Sequence, residues 1–325
     1  MKRRAILFAS GALLAAAATR AFAQANTIRR IVMVHPGSQS GYQSLYDAFR
    51  GALKSLGYVE GRDISVESRW ADGRLERLPA MAAEAVKLNP AAIVTAGSAA
   101  TAASKQATSS IPIVFASAFN PVEQGFVASL RRPGGNVTGI LLFSDIAAKI
   151  VEVTREAFPG ARRLAILLHE ADVAHKIALE HFLAATRQLK FDPVVVRVAN
   201  LADLDRAFQE LAAGKADALY LPDLTFSTEN RKPIIERALS ARLPLLSGFY
   251  ETTVDGALLS YGTRREENYQ RAAALVDKIL KGVKPGDLPV EQPVRFQLTV
   301  NMKTAKAIGI TLSPVTMLRA DKVIE

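Results

Sequence analysis

Residues Ala91–Ala116 read AAIVTAGSAATAASKQATSSIPIVFA, and this stretch decides the fold. An apolar run, Ala91–Thr95, stops at Gly97. A helical run follows, and a second apolar run, Ile111–Ala116, begins after Ser-Ser. That is a β-α-β unit, the connection that parallel strands require. Its helix begins bare: from Gly97 to Thr101 no side chain is larger than threonine. Two causes can ask for that. Either the helix packs tightly on its sheet, or an anion approaches the orphan N–H groups at its start, where the helix dipole favours negative charge.

Outward from this unit the alternation repeats. Arg29–His35 (RRIVMVH) reads as a strand. Tyr42–Gly57 reads as a helix with Tyr42, Leu45, Tyr46, Phe49, Leu53 and Leu56 on one stripe and Gly57 as its stop. Arg62–Trp70 is a second strand, and Leu75–Leu88 a helix with Pro79 in its first turns. Apolar strands alternating with helices predict a parallel sheet covered on both faces. Arg131–Ile140 (RRPGGNVTGI) interrupts with Pro-Gly-Gly and a short strand. A second series then predicts strands at Arg163–Leu168, Asp192–Val198, Ala216–Leu221, Leu243–Ser247 and Gly256–Gly262. Its helices are expected over Asp172–Leu189, near Leu204–Leu211 and near Asn230–Leu239. A helix over Asn268–Gly282 and the segment Pro293–Ile310 must dock on one half or the other. The expected fold is α/β, two similar halves joined near Val137–Phe143.

Compartment and chemistry are bounded by composition. The chain has 325 residues and a formal charge of +10, of which Lys2, Arg3, Arg4 and Arg20 carry four charges. The rest is spread along the chain, without the basic block or basic-aromatic stripe that a nucleic-acid groove needs. MKRR, then the apolar Ala5–Thr19, then Ala21–Ala23 as an A-x-A site predict a cleavable secretory signal with the mature chain starting at Gln24. Arg3-Arg4 leaves a twin-arginine route open beside the general one. The mature protein is expected to be soluble outside the cytoplasmic membrane. There is no cysteine, which excludes disulfides, thiol catalysis and thiolate metal sites.

Enzyme signatures are missing. G-x-S-x-G, G-x-G-x-x-G, the P-loop and H-E-x-x-H do not occur. His169, His175 and His181 stand six apart, a spacing that does not share a helix face, so neither metal nor cofactor is expected. His35 and His169 follow strands and read as loop residues or cleft walls. What remains is binding chemistry. In open α/β sheets ligands sit beyond the carboxyl ends of the strands. Gly97 with Ser38, Ser98, Thr101 and Ser117 supplies a turn and hydroxyls there, Asn120 and Asp223 an amide and a carboxylate. Phe119, Phe226, Phe249, Tyr250 and Tyr261 supply aromatic faces for a small-molecule pocket.

Three longer segments carry a resemblance: Gly57–Pro79, Gln106–Gly139 and Pro289–Glu325. Their G-Y-x-E-G-R turn, I-P-I-V strand, P-V-x-x-G and R-P-G-G-N-V-T-G runs, and N-x-K-T-A-K-x-x-G with A-D-x-V-I resemble the ABC-transporter substrate-binding protein family whose better-known members take up tryptophan and tyrosine. The resemblance implies a type I periplasmic binding protein: two Rossmann-like lobes, hinge strands between them, and a ligand closed in the cleft. It implies lobe 1 from 27–140 plus about 263–292, and lobe 2 from 141–262 plus about 293–325, after a signal peptide at 1–23. It also implies a monomer whose partners are a membrane permease and its cytoplasmic ATPase. Two positions depart from the pattern. Asn120 stands where the family has Asp before Pro-Val, and Asp223 is followed by Leu224 where the family often has Asn. Rival readings are a periplasmic sensor that presents its ligand to a receptor, and a secreted hydrolase, which would need a nucleophile. A sugar-regulated repressor would need a DNA-binding helix pair at the position of the signal.

Overall fold

The computed structural model describes residues 28–142, 146–170, 173–222, 224–293 and 295–325. The expected signal peptide with its expected cleavage site, Asp223, and Phe143 at the end of the expected junction lie outside the described residues.

The first sheet has five strands, β1 (Arg29–His35), β2 (Ile64–Trp70), β3 (Ala92–Ala96), β4 (Ile113–Phe119) and β5 (Val137–Leu142), in the order β2-β1-β3-β4-β5. Every pairing in it is parallel. Alternate residues of β1 serve opposite faces. Ile31 and Met33 pack with Phe49 and Leu53 of α1 (Gln39–Ser55). Val32 and Val34 pack with Leu78 and Met81 of α2 (Leu78–Lys87) and Ala100 of α3 (Gly97–Ala107).

The second half opens with α4 (Ile146–Ala157), which the sequence reading does not anticipate. Then follow β6 (Arg163–His169), α5 (Val173–Gln188), β7 (Asp192–Val198), α6 (Leu204–Ala213) and β8 (Ala218–Leu221). The series continues with α7 (Thr225–Glu229), α8 (Arg231–Ser240), β9 (Leu245–Phe249), α9 (Tyr250–Val254) and β10 (Leu259–Thr263). The order β7-β6-β8-β9-β10 repeats the topology of the first sheet without repeating its sequence. Tyr220 and Phe182 fill one face of the sheet, Leu204 and Ile234 the other.

After β10 the chain returns. Helix α10 (Arg265–Leu280) packs on α1, with Tyr269, Ala272 and Val276 in the core of the first lobe. The chain then goes back to add β11 (Gln297–Asn301) antiparallel to β10, followed by α11 (Met302–Ile308), α12 (Pro314–Arg319) and β12 (Lys322–Ile324) parallel to β11. The antiparallel β10–β11 pair is the departure from an all-parallel expectation. Each lobe has cores of its own, and a buried Leu, Ile or Phe is worth ~1.5–3 kcal/mol. Two bodies that each hold cores of their own can move relative to one another.

Candidate functional site

The carboxyl ends of the two sheets face each other. Between them lies a cleft space of about 420 Å³, open solvent included. The first lobe lines it with Tyr42, Gly97, Ser98, Ala99, Ser117 and, from the start of α10, Arg265, and the second with Leu224, Thr225 and Thr228. A more apolar space of about 410 Å³, open solvent included, adjoins it, walled by Ile146, Ala178, Tyr220, Pro222 and Phe296. Phe119, Leu142, Leu224 and Phe249 border both spaces.

The bare start of α3 opens here. Its N-cap is Ala96, which makes no side-chain cap, and the first turn holds no acid. Gly97 has φ +79°, a backbone conformation that costs an L side chain energy, and the space beside its Cα is open. The amino end of an eleven-residue helix therefore points uncapped into the cavity. Ser98 Oγ accepts from the Phe119 N–H at 3.1 Å and from Gln124 Nε2 at 3.1 Å. Both acceptor sites are taken, so the hydroxyl proton is left to donate.

The sequence reading passed over Arg265, the first residue of α10. It is 6% exposed. Its Nη1 donates to Thr228 Oγ1 at 3.3 Å, and the guanidinium lies 5.0 Å from the Tyr42 ring centre and 4.9 Å from that of Phe249. Burial opposes its charge, but Tyr42, Tyr269 and Glu251 outweigh that and hold its pKa above the usual value. Glu251 accepts the Arg265 backbone N–H at 3.3 Å, and burial pushes its carboxyl upward despite the nearby guanidinium. Arg265 lies two residues past the end of β10, and an arginine in TRREEN reads as a solvated charge. Tyr42, which the helical stripe assigns to the core, also borders the cleft from the first turn of α1.

The other expected site residues divide. Ser117 and Phe249 line the cavity with Gly97 and Ser98. Thr101 does not: fully buried, its Oγ1 donates to the Gly97 carbonyl at 2.8 Å and lies 2.8 Å from Thr95 Oγ1, inside the lobe. Ser38 caps α1 by accepting from the Gly41 N–H at 3.2 Å and is not in the lining. Asn120 sits at φ +40° with its Nδ2 donating to Glu123 at 2.6 Å, and Tyr250 lies under Arg264 and Lys322. Neither borders the cavity. His35 is neither loop nor cleft wall. It ends β1, fully buried, stacked on Trp70 at 3.9 Å, and burial with the nearby Arg265 lowers its pKa to about 3. His175 Nδ1 accepts from the His169 N–H at 3.0 Å, a local anchor, and burial lowers its pKa to about 3.

The hydroxyl assignments separate by experiment. Ser98→Ala should weaken ligand binding about tenfold, since a hydrogen bond to a charged group is worth roughly 1.5–3 kcal/mol. Thr101→Val should leave affinity within twofold and cost roughly 1–2 kcal/mol of stability. Calorimetric titration beside denaturant unfolding reads both. A tenfold affinity loss in Thr101→Val would contradict its placement inside the lobe.

A uncapped helix start and a buried guanidinium at the mouth of an apolar compartment form a cradle for a small carboxylate with an apolar body. The model of the ABC transporter substrate binding protein family matches residues 30–324. The tyrosine-binding protein of Clostridioides difficile (strain R20291) is 26% identical over 272 residues, covering 83% of this chain and 78% of that protein. A Streptococcus pneumoniae ABC domain in complex with L-Trp superposes with a TM-score of 0.85 at 20% identity, over 92% of this chain and all of that one. A ligand-free, open substrate-binding protein from Clostridium difficile gives 0.67 at 21% identity, over 91% of this chain and 99% of that one. Matched from the first described strand to the last, this chain belongs to the ABC transporter substrate binding protein family.

Proposed function

We propose that this protein captures an amino acid with an aromatic or large apolar side chain outside the cytoplasmic membrane and hands it, unchanged, to an ABC permease. The ligand's carboxylate rests between the start of α3 and Arg265, and its side chain enters the compartment walled by Tyr220 and Phe296. The observation that carries this is the meeting of those two anion-binding elements at an apolar chamber between the lobes. The amino-acid ligands named for two relatives support the ligand class. The export signal at residues 1–23 supports the compartment. Binding draws the lobes together about the passages after Leu142, near Arg265 and before Gln297, and a monomer in that closed form is what the permease reads.

Thermal-shift and calorimetric titration of the chain from Gln24 onward, with L-tryptophan, L-tyrosine and L-phenylalanine, test the reading. A ligand at 100 times its dissociation constant raises stability by ~2.7 kcal/mol, which a melting curve detects. No shift with any amino acid, together with a clear shift from an uncharged ligand such as a sugar, would refute it.

Asp223 is our assignment for the ligand's ammonium, on its sequence position between Pro222 and Leu224, which both line the cleft. Asp223→Asn should cost the amino acid 10- to 100-fold in affinity and leave its deamino analogue, a 3-arylpropionate, within threefold. Equal losses for both ligands would remove that role.

A further inference from the structure

We propose that Glu229 is a closing latch, a carboxylate of the second lobe that seats on the amino end of α1 in the first lobe, in a notch kept open by Gly37 and Gly41. The inference rests on the reading of the cleft as a ligand site that closes.

Glu229 ends α7, which hangs from β8 in the second sheet. Its carboxylate reaches across. A Cβ built on Gly37 would lie 2.0 Å from Glu229 Oε1, and one on Gly41 would lie 2.5 Å from the same oxygen. No real side chain fits at either distance, so the two glycines are the space that the carboxylate occupies. Glu229 Oε1 is removed from solvent and takes no hydrogen bond among the described residues. What faces it is the first turn of a seventeen-residue helix that has no acid of its own there. Ser38 satisfies one amide of that turn, and the rest of the dipole is left for a charge from elsewhere. Glu229 supplies it.

The latch shares one turn of chain with the ligand site. Thr228, the neighbour of Glu229, accepts from Arg265 Nη1, while Tyr42, one residue past Gly41, stacks on the same guanidinium. An anion that holds Arg265 in place therefore holds Thr228 and Tyr42 around it, and brings Glu229 onto α1. In an opened cleft the same carboxylate faces water and the notch stands empty. Two further facts belong to the closed arrangement. Phe119 of β4 meets His181 of α5 across the cleft with ring centres 5.8 Å apart. At nearly equal identity, the chain also superposes better on the tryptophan-bound relative than on the open one.

The chain holds no cysteine, which makes a trapping experiment direct. Phe119→Cys and His181→Cys place one thiol in each lobe at that contact. The rate at which a short bis-maleimide joins them, each thiol adding across one maleimide double bond, follows the closed population in the ligand-free protein. In that background Glu229→Gln, which keeps the shape and removes the charge, should slow trapping about three- to tenfold. Gly41→Ala, a change that an α-helix tolerates well, should slow it by a similar factor by filling the notch. Glu236→Gln, an exposed acid on α8, should leave the rate unchanged. Trapping at the parent rate in both Glu229→Gln and Gly41→Ala overturns the latch. Melting curves of the cysteine-free protein with L-tryptophan or L-tyrosine separate the two readings, because Phe119 itself borders the ligand space. If neither raises the melting temperature while the latch variants slow trapping, the amino-acid reading fails and the latch stands. If either raises it and the latch variants trap at the parent rate, the latch fails alone.

Discussion

Replacing Arg265 with methionine should lower affinity for an amino-acid ligand about 100-fold. The guanidinium is the one cationic side chain among the described residues that line the cavity, and burial shields it from competing water. A charge-assisted contact is worth roughly 1.5–3 kcal/mol, and ~2.8 kcal/mol corresponds to the hundredfold loss. Methionine keeps much of the length and apolar contact with Tyr42 and Phe249, so the change isolates the charge and the hydrogen-bonding fork. Arg265→Lys should recover only part of the affinity, because an ammonium neither stacks flat on both rings nor offers a planar fork. Calorimetric titration of parent and variants with L-tryptophan and L-tyrosine checks this. Affinity for a bound ligand within threefold of the parent in Arg265→Met would place the carboxylate elsewhere.

Gly262→Ala should lower stability by ~3 kcal/mol or more and weaken binding with it. A Cβ on Gly262 would lie 1.5 Å from the carbonyl oxygen of Gly248, a backbone atom in the adjacent strand that cannot swing aside. The β9–β10 ladder shifts register between Ser260 and Thr263 at this point, an irregularity that aims Thr263 into the apolar compartment and launches α10 at Arg265. Overpacking typically costs ~1–3 kcal/mol, and backbone against backbone belongs at the high end. For a chain of this size that is a fall of roughly 6–10 °C in melting temperature. Gly51→Ala makes the opposite-sign control. Gly51 stands inside α1 with nothing within 4 Å of its added methyl, so alanine there should stabilise by ~0.5–1 kcal/mol. A Gly262→Ala protein as stable as the parent would mean that β9 and β10 separate more easily than their packing indicates.

Much of the architecture was legible in the chain because it is written locally. The strands at Arg29–His35 and Asp192–Val198 were placed to the residue, since an apolar run between polar or glycine punctuation carries its own boundaries. The bare helix start at Gly97–Ala99 was legible for the same reason: the missing side chains are visible in the sequence, and the structure opens that turn onto the cleft. Thr101 differs because its Oγ1 is held by the Gly97 carbonyl and Thr95 inside the lobe, and a serine or threonine near a site has no sequence mark that says which way its hydroxyl turns.

What the sequence determined by itself is the alternating α/β order, the export signal as an expectation, the absence of thiol chemistry, and one anion-friendly helix start. Only the tertiary structure decided which residues share the cleft. Arg265 and Tyr42 lie 223 positions apart and meet because α10 leaves the second sheet and packs back on α1. Glu229 reaches Gly37 and Gly41 because the two sheets present their carboxyl ends to each other. Local periodicity is set by neighbours three or four residues away, whereas a binding site is set by where long-range packing delivers the ends of strands. That information is distributed over both cores rather than carried by any single stretch.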